Sequence, residues 1–296
     1  MSAESIDFVE SIDRLVTRFE DKKKREEDFR NIRPPINFQP NIANTRVFDA
    51  AGSMGIFNAK RTQAYRDGQQ LAQTFKSTMD STLSHGVFKS WLRSAGSSTI
   101  VIVCEPTPAT PVALASTLAE LATKISGHLV WTHLLTFFCG LHEKQPDGDD
   151  ALQAMFKSFI VQLVAKEADV QGILGNFTEE DLAILSAGTA KDLCDLFVKV
   201  VKNVRAGTIF CIIDSIGYLQ GNDGGHCGYV MAALNALVHY AAKEKSRRNS
   251  QLIFKLLVTA SGTNHNGNLD MWFPREPFLN IVVDDKGQDS MRVFSR

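Results

Sequence analysis

Four polar residues close apolar runs in the second half of the chain. Asp214 ends GTIFCIID, residues 207–214, and Ser215 follows it. Thr259 and Ser261 end LIFKLLVTAS, residues 252–261. A carboxylate at the end of a buried strand can hold a divalent cation, and hydroxyls beside it can hydrogen-bond a phosphate oxygen. A strand-terminal Asp also serves simply to cap a loop. It is the order and spacing of these residues that gives them weight.

A chemical partner for them would lie upstream, in residues 98–121. An apolar, β-branched run from Thr99 to Cys104 leads into a loop with Pro106, Pro108 and Pro111. Val112, Leu114, Ala115, Leu118, Leu121 and Ala122 then recur at helical spacing. Strand, tight loop, helix is the layout of a phosphate-binding loop, whose pattern GxxxxGK[ST] wraps phosphates in backbone N–H groups. Laid over this chain, the first glycine becomes Glu105, the second Thr110, the lysine Pro111 and the hydroxyl Val112. Glu105 repels phosphate, and Pro111 lacks both the amine and a backbone donor. The loop is degenerate, and conventional ATP or GTP binding with Mg²⁺ is expected to be weak or absent.

The elements that position these residues can be read in order. Residues 4–30 form an amphipathic helix with Ile6, Val9, Ile12, Leu15, Val16 and Phe19 on one stripe. Prolines in IRPPINFQP break it, and residues 31–55 read as extended or irregular. Residues 60–83 look helical, and Phe88, Trp91 and Leu92 make a short apolar cluster. A buried strand is expected over residues 134–139, followed by a helix with Leu152, Met155, Phe156, Phe159, Ile160 and Leu163 on its apolar face. Two shorter helices follow; Thr178 caps the first, and Leu193, Leu196, Phe197 and Val200 mark the second. After the Asp214 strand come a Gly-rich loop, GNDGGHCG, and a helix over residues 229–244. Residues 278–283 are the last strand, and the tail looks partly disordered. Strands alternating with helices predict an α/β protein with a mostly parallel five-stranded sheet, helices on both faces, and ligands at the carboxyl ends of the strands.

The chain resembles the NACHT/STAND-type NTPase modules common in large fungal proteins. The resemblance rests on FKSWLRSAGSSTIVIV before the loop, LTFFCGLH, ALQAMFKSFIVQLV, IFCIIDSIGYL and FKLLVTAS. It spans roughly residues 88–283. It implies a three-layer P-loop NTPase-like fold with a nucleotide-switch core, Asp214 as the Walker B-like acid, Ser215 where hydrolases place a second acid, and Thr259 and Ser261 as sensor-like residues. Glu105, Thr110, Pro111 and Val112 depart from its most diagnostic motif. The expected organisation is an N-terminal helix and linker (1–55), a helical lead-in (56–98), the degenerate NTPase-like domain (99–284) and a tail (285–296).

Composition bounds the rest. The chain has 296 residues, 44% hydrophobic and 22% charged, with a net charge of -1. That gives no global reason to expect nucleic acid as a partner. No apolar run approaches the roughly 20 residues of a membrane span, and no secretory leader is expected at the N-terminus. Five cysteines at wide spacing, without CxxC, suit reduced thiols in a cytoplasmic protein. His226 and Cys227 are adjacent and lack a spaced ligand set, and His133, Cys139 and His142 include a core position; no metal site is expected. Three functions stay open: a catalytically inactive interaction or regulatory module with protein partners or self-association through the N-terminal helix; a noncanonical nucleotide-binding switch or NTPase using Asp214; or an unrelated enzyme on the same sheet.

Overall fold

The computed structural model describes Val47, Ala51, Phe273 and residues 85–104, 132–139, 148–166, 177–204, 206–220, 224–248, 251–261, 278–283 and 289–294. The β-branched and aromatic runs become strands: β1 (Ser98–Cys104), β2 (Thr132–Phe138), β3 (Ala206–Asp214), β4 (Gln251–Ser261), β5 (Phe278–Val283) and β6 (Asp289–Phe294). They form one sheet in the order β2-β3-β4-β1-β5-β6. β2, β3, β4 and β1 are parallel neighbours, β5 joins β1 in parallel, and β6 pairs antiparallel with β5. The tail expected to be partly disordered therefore supplies an edge strand. Its alternation of Ser290, Met291, Arg292 and Val293 has period 2, but it is too short to identify a strand without its partner.

The helices are α1 (Gly86–Arg93), α2 (Gly148–Lys166), α3 (Glu179–Ala187), α4 (Ala190–Asn203) and α5 (Gly224–Arg248). Thr178 and Thr189 each close a capping box, with Asp181 and Asp192 respectively, so α3 and α4 begin where side chains satisfy their first N–H groups. α5 begins inside the Gly-rich stretch expected to be a loop, placing His226 and Cys227 on helical backbone. The glycines mark a low-propensity helix start there.

α2, α4 and α5 share a core with Val101, Val103, Leu135, Phe137, Ile209, Cys211, Ile213, Val258 and Ala260 of the sheet. Phe159 and Phe197 pack at 5.5 Å, and Phe137 meets Phe159 edge-on at 6.3 Å. All the apolar positions read from the periodicity of α2 and α4 are buried. Val47 and Ala51 belong to the same core and are helical, so at these two positions the extended or irregular reading of residues 31–55 is corrected. The helices expected over residues 4–30 and 60–83 lie outside the described residues.

The opposite sheet face carries α1. Trp91 meets Phe210 edge-on at 6.0 Å, and its ring N–H donates to the Ser98 carbonyl at 3.1 Å. From the middle of β4, Lys255 is buried under α1, and its ammonium donates to the Trp91 carbonyl (2.7 Å), to Ser98 Oγ (3.0 Å) and to Ser94 Oγ. The last carbonyls of a helix attract a cation. The sequence resemblance included a Trp-bearing segment ahead of the first strand; in the structure that segment covers the sheet at the start of β1 and the middle of β3 and β4.

Candidate functional site

β1 lies between β4 and β5, and the chain leaves it for β2 at the far edge. The connection from β4 runs the other way, to β5. The point where adjacent connections diverge, outside the carboxyl ends of β1 and β4, is where open α/β sheets bind ligands. Thr259 stands in β4 beside that point, in register with Ile102 of β1. Asp214 ends β3 on the other side of β4, in register with Phe138.

The sheet brings Asp214, Ser215 and Thr259 together. Thr259 Oγ1 donates to Asp214 Oδ1 at 2.9 Å, and Ser215 Oγ donates to the same oxygen at 3.0 Å. The Ser215 backbone N–H donates to Thr259 Oγ1 at 2.7 Å. Ser215 holds φ at 52°, the one non-glycine residue with positive φ among the described residues. That conformation costs an L-residue roughly 1–2 kcal/mol. The turn lets the chain leave β3 directly into a 3₁₀ segment, Ile216–Gln220.

All three residues are buried, with Asp214 and Ser215 1% exposed and Thr259 0%. Burial in this apolar setting pushes the Asp214 carboxyl up to about 7, and the Thr259 and Ser215 hydroxyls pull it partly back. Among the described residues no hydrogen bond reaches its Oδ2. Ser261 ends β4, two residues beyond Thr259. Glu105, Thr110, Pro111 and Val112 lie outside the described residues.

A Mg²⁺–nucleotide seat needs oxygen ligands, with one or two carboxylates joining phosphate oxygens and water. Asp214 supplies one carboxylate whose Oδ1 already accepts two hydroxyl protons. The motif position for the loop hydroxyl is the apolar Val112. Among the described residues, no group of three or more His, Cys, Asp or Glu could hold a metal. That donor set is incomplete among the described residues. Among the described residues the thiols of Cys139, Cys194 and Cys211 are buried, and burial pushes the Cys194 thiol up to about 12.

Two polar contacts went unseen in the sequence. Gln162, on α2, binds the backbone of β2, and Lys255 anchors α1. Lys255 carried a signal, a lysine within an otherwise apolar strand. Gln162 carried none, because a glutamine on an amphipathic helix is ordinary. Among the described residues no helix is long and apolar enough to cross a membrane.

No curated protein and no solved structure matches the chain. The family described as Nephrocystin 3, N-terminal, matches residues 77–260, which takes in α1, the sheet from β1 to β4 and the Asp214–Thr259 cluster. That match covers more than half of the 296 residues. The chain belongs to the Nephrocystin 3, N-terminal, family.

Proposed function

We infer that the chain is a degenerate NACHT/STAND-like NTPase-fold module, catalytically inactive, that works by binding protein partners. The observation that carries this reading is the engagement of Asp214, Ser215 and Thr259 with one another. Hydrolysis requires a base or a water-orienting group near the acid. The position after Asp214 is Ser215, whose hydroxyl is given to Asp214 Oδ1. Thr259, at the sensor position, is likewise given to Asp214. The degenerate loop at Glu105, Thr110, Pro111 and Val112 acts in the same direction. The helix expected over residues 4–30 from its single apolar stripe is the proposed surface for a protein partner or for self-association. Buried reduced cysteines favour the cytoplasm.

A second reading has one observation in its favour. Asp214 is retained at a strand end next to the switch point, with Oδ2 outside the hydroxyl pair, as a noncanonical nucleotide-binding switch would need. A thermal-shift titration with ATP, ADP and GTP, each with and without Mg²⁺, separates the two. Ligand at 100 times its Kd adds about 2.7 kcal/mol to stability. The inactive-module reading predicts no shift at millimolar nucleotide. A Mg²⁺-dependent shift that Asp214→Ala abolishes would overturn it in favour of the switch.

A further inference from the structure

We propose that Thr259 is a positioning residue, a latch that joins the carboxyl ends of β3 and β4 and sets the orientation of Asp214, and not a group that reads a bound phosphate. The resemblance places a ligand-sensing hydroxyl here, but the geometry spends that hydroxyl twice. Its proton goes to Asp214 Oδ1 at 2.9 Å, and a lone pair takes the Ser215 N–H at 2.7 Å. A hydroxyl has one proton to give, so Thr259 has none left for a phosphate oxygen. Its side chain is 0% exposed.

Both bonds serve one end. The Ser215 N–H sits in a left-handed turn, where it would be a buried, unpaired donor without Thr259. Holding that turn fixes the Ser215 hydroxyl beside Asp214, where it makes the second bond to Oδ1. Thr259 thus fixes one oxygen of Asp214 directly and again through Ser215. β4 neighbours both β3 and β1, so the latch also ties the Asp214 turn to the strand beside the switch point.

The test is urea unfolding of the full chain from pH 4 to pH 9, without nucleotide, for wild type, Thr259→Val and Thr259→Ser. A latch that donates to Asp214 stabilises its ionised form. Thr259→Val is then expected to move the Asp214-dependent part of the pH profile upward by roughly one pH unit, and Thr259→Ser to restore the wild-type profile. A loss of stability in Thr259→Val that is uniform across pH would overturn the proposal, since lost packing alone has no pH signature. If Thr259→Val does not fold, hydrogen exchange of the wild-type Ser215 amide decides. Exchange only through global unfolding supports the latch, and fast exchange overturns it. Because nucleotide is absent throughout, the latch can fail while the inactive-module reading stands, and the reverse.

Discussion

Gln162 lays its carboxamide along the backbone of Thr136, with Oε1 accepting the Thr136 N–H at 3.0 Å and Nε2 donating to the Thr136 carbonyl at 3.0 Å. β2 is an edge strand, so these are the groups a further strand would pair with. The amide of Gln162 takes that strand's place. Ser158, one turn earlier on α2, holds Nε2 from behind at 2.7 Å. This is how the polar backbone at the centre of the edge stays paired while every residue of β2 is buried.

Gln162→Leu is therefore expected to cost about 1–3 kcal/mol in chemical unfolding, because it leaves a buried donor and acceptor unpaired. Gln162→Glu, nearly the same shape, is expected to cost at least as much, since it turns a carboxylate toward the Thr136 carbonyl. If Gln162→Glu matches wild type at pH 7, the amide is not holding the edge.

Lys255 ties the end of α1 to the sheet. Lys255→Met removes the donor to the Trp91 carbonyl and to the Ser94 and Ser98 hydroxyls and puts no polar group in its place. It is expected to cost about 1–3 kcal/mol in chemical unfolding and to release the C-terminal turn of α1. Hydrogen exchange at the Ser94 amide, bonded to the Ser90 carbonyl, should accelerate while the amides of β3 stay protected. Unchanged exchange at Ser94 would show that Trp91 alone holds the helix.

The strands were legible in the sequence because a parallel sheet buried on both faces needs long apolar runs, and β1, β3 and β4 have them. Asp214 and Thr259 were legible as strand ends for the same reason. Their hydrogen bond was not, because it depends on the parallel pairing of β3 with β4, which no local pattern encodes. The left-handed turn fell on Ser215, a serine, where glycine would have flagged it. The Gly-rich start of α5 misled in the other direction, because packing of its downstream turns on β4 outweighs local propensity. Val47 and Ala51 were missed because two residues four apart are too few to establish a period.

Gly188 is the first of the two residues that separate α3 from α4. Its φ of -70° is open to any residue, so backbone freedom is not the reason for glycine. Space is: a Cβ would lie 2.5 Å from the Ile184 carbonyl oxygen and 3.0 Å from Ile184 Cγ2. The first of these is backbone and cannot rotate away. Gly188→Ala should cost about 1–2 kcal/mol, read as a lower Tm. A Tm equal to wild type would mean that the α3 C-terminus relaxes freely.

Asp214 and Asp181 give the pH profile opposite slopes. Asp181 is buried, which raises its pKa, but the Lys199 ammonium at 2.7 Å and the Thr178 N–H and hydroxyl outweigh that and hold it below 3.8. Its contribution is present above the unfolded pKa and lost as pH falls through the folded one. Asp214 runs the other way, with a folded value of about 7 against 3.8 unfolded. Its contribution is complete below pH 3.8 and lost as pH rises through about 7, on the order of 4 kcal/mol in all. Asp214→Asn keeps an acceptor for both hydroxyls and never ionises. It is expected to be more stable than wild type at pH 8, to lose that advantage as pH falls through the range 7 to 4, and to leave the acid limb set by Asp181 intact. Urea midpoints at pH 5 and pH 8 measure this directly. An Asn variant less stable than wild type at pH 8 would mean that Asp214 stays ionised in the folded chain, stabilised by more than its two hydroxyl partners.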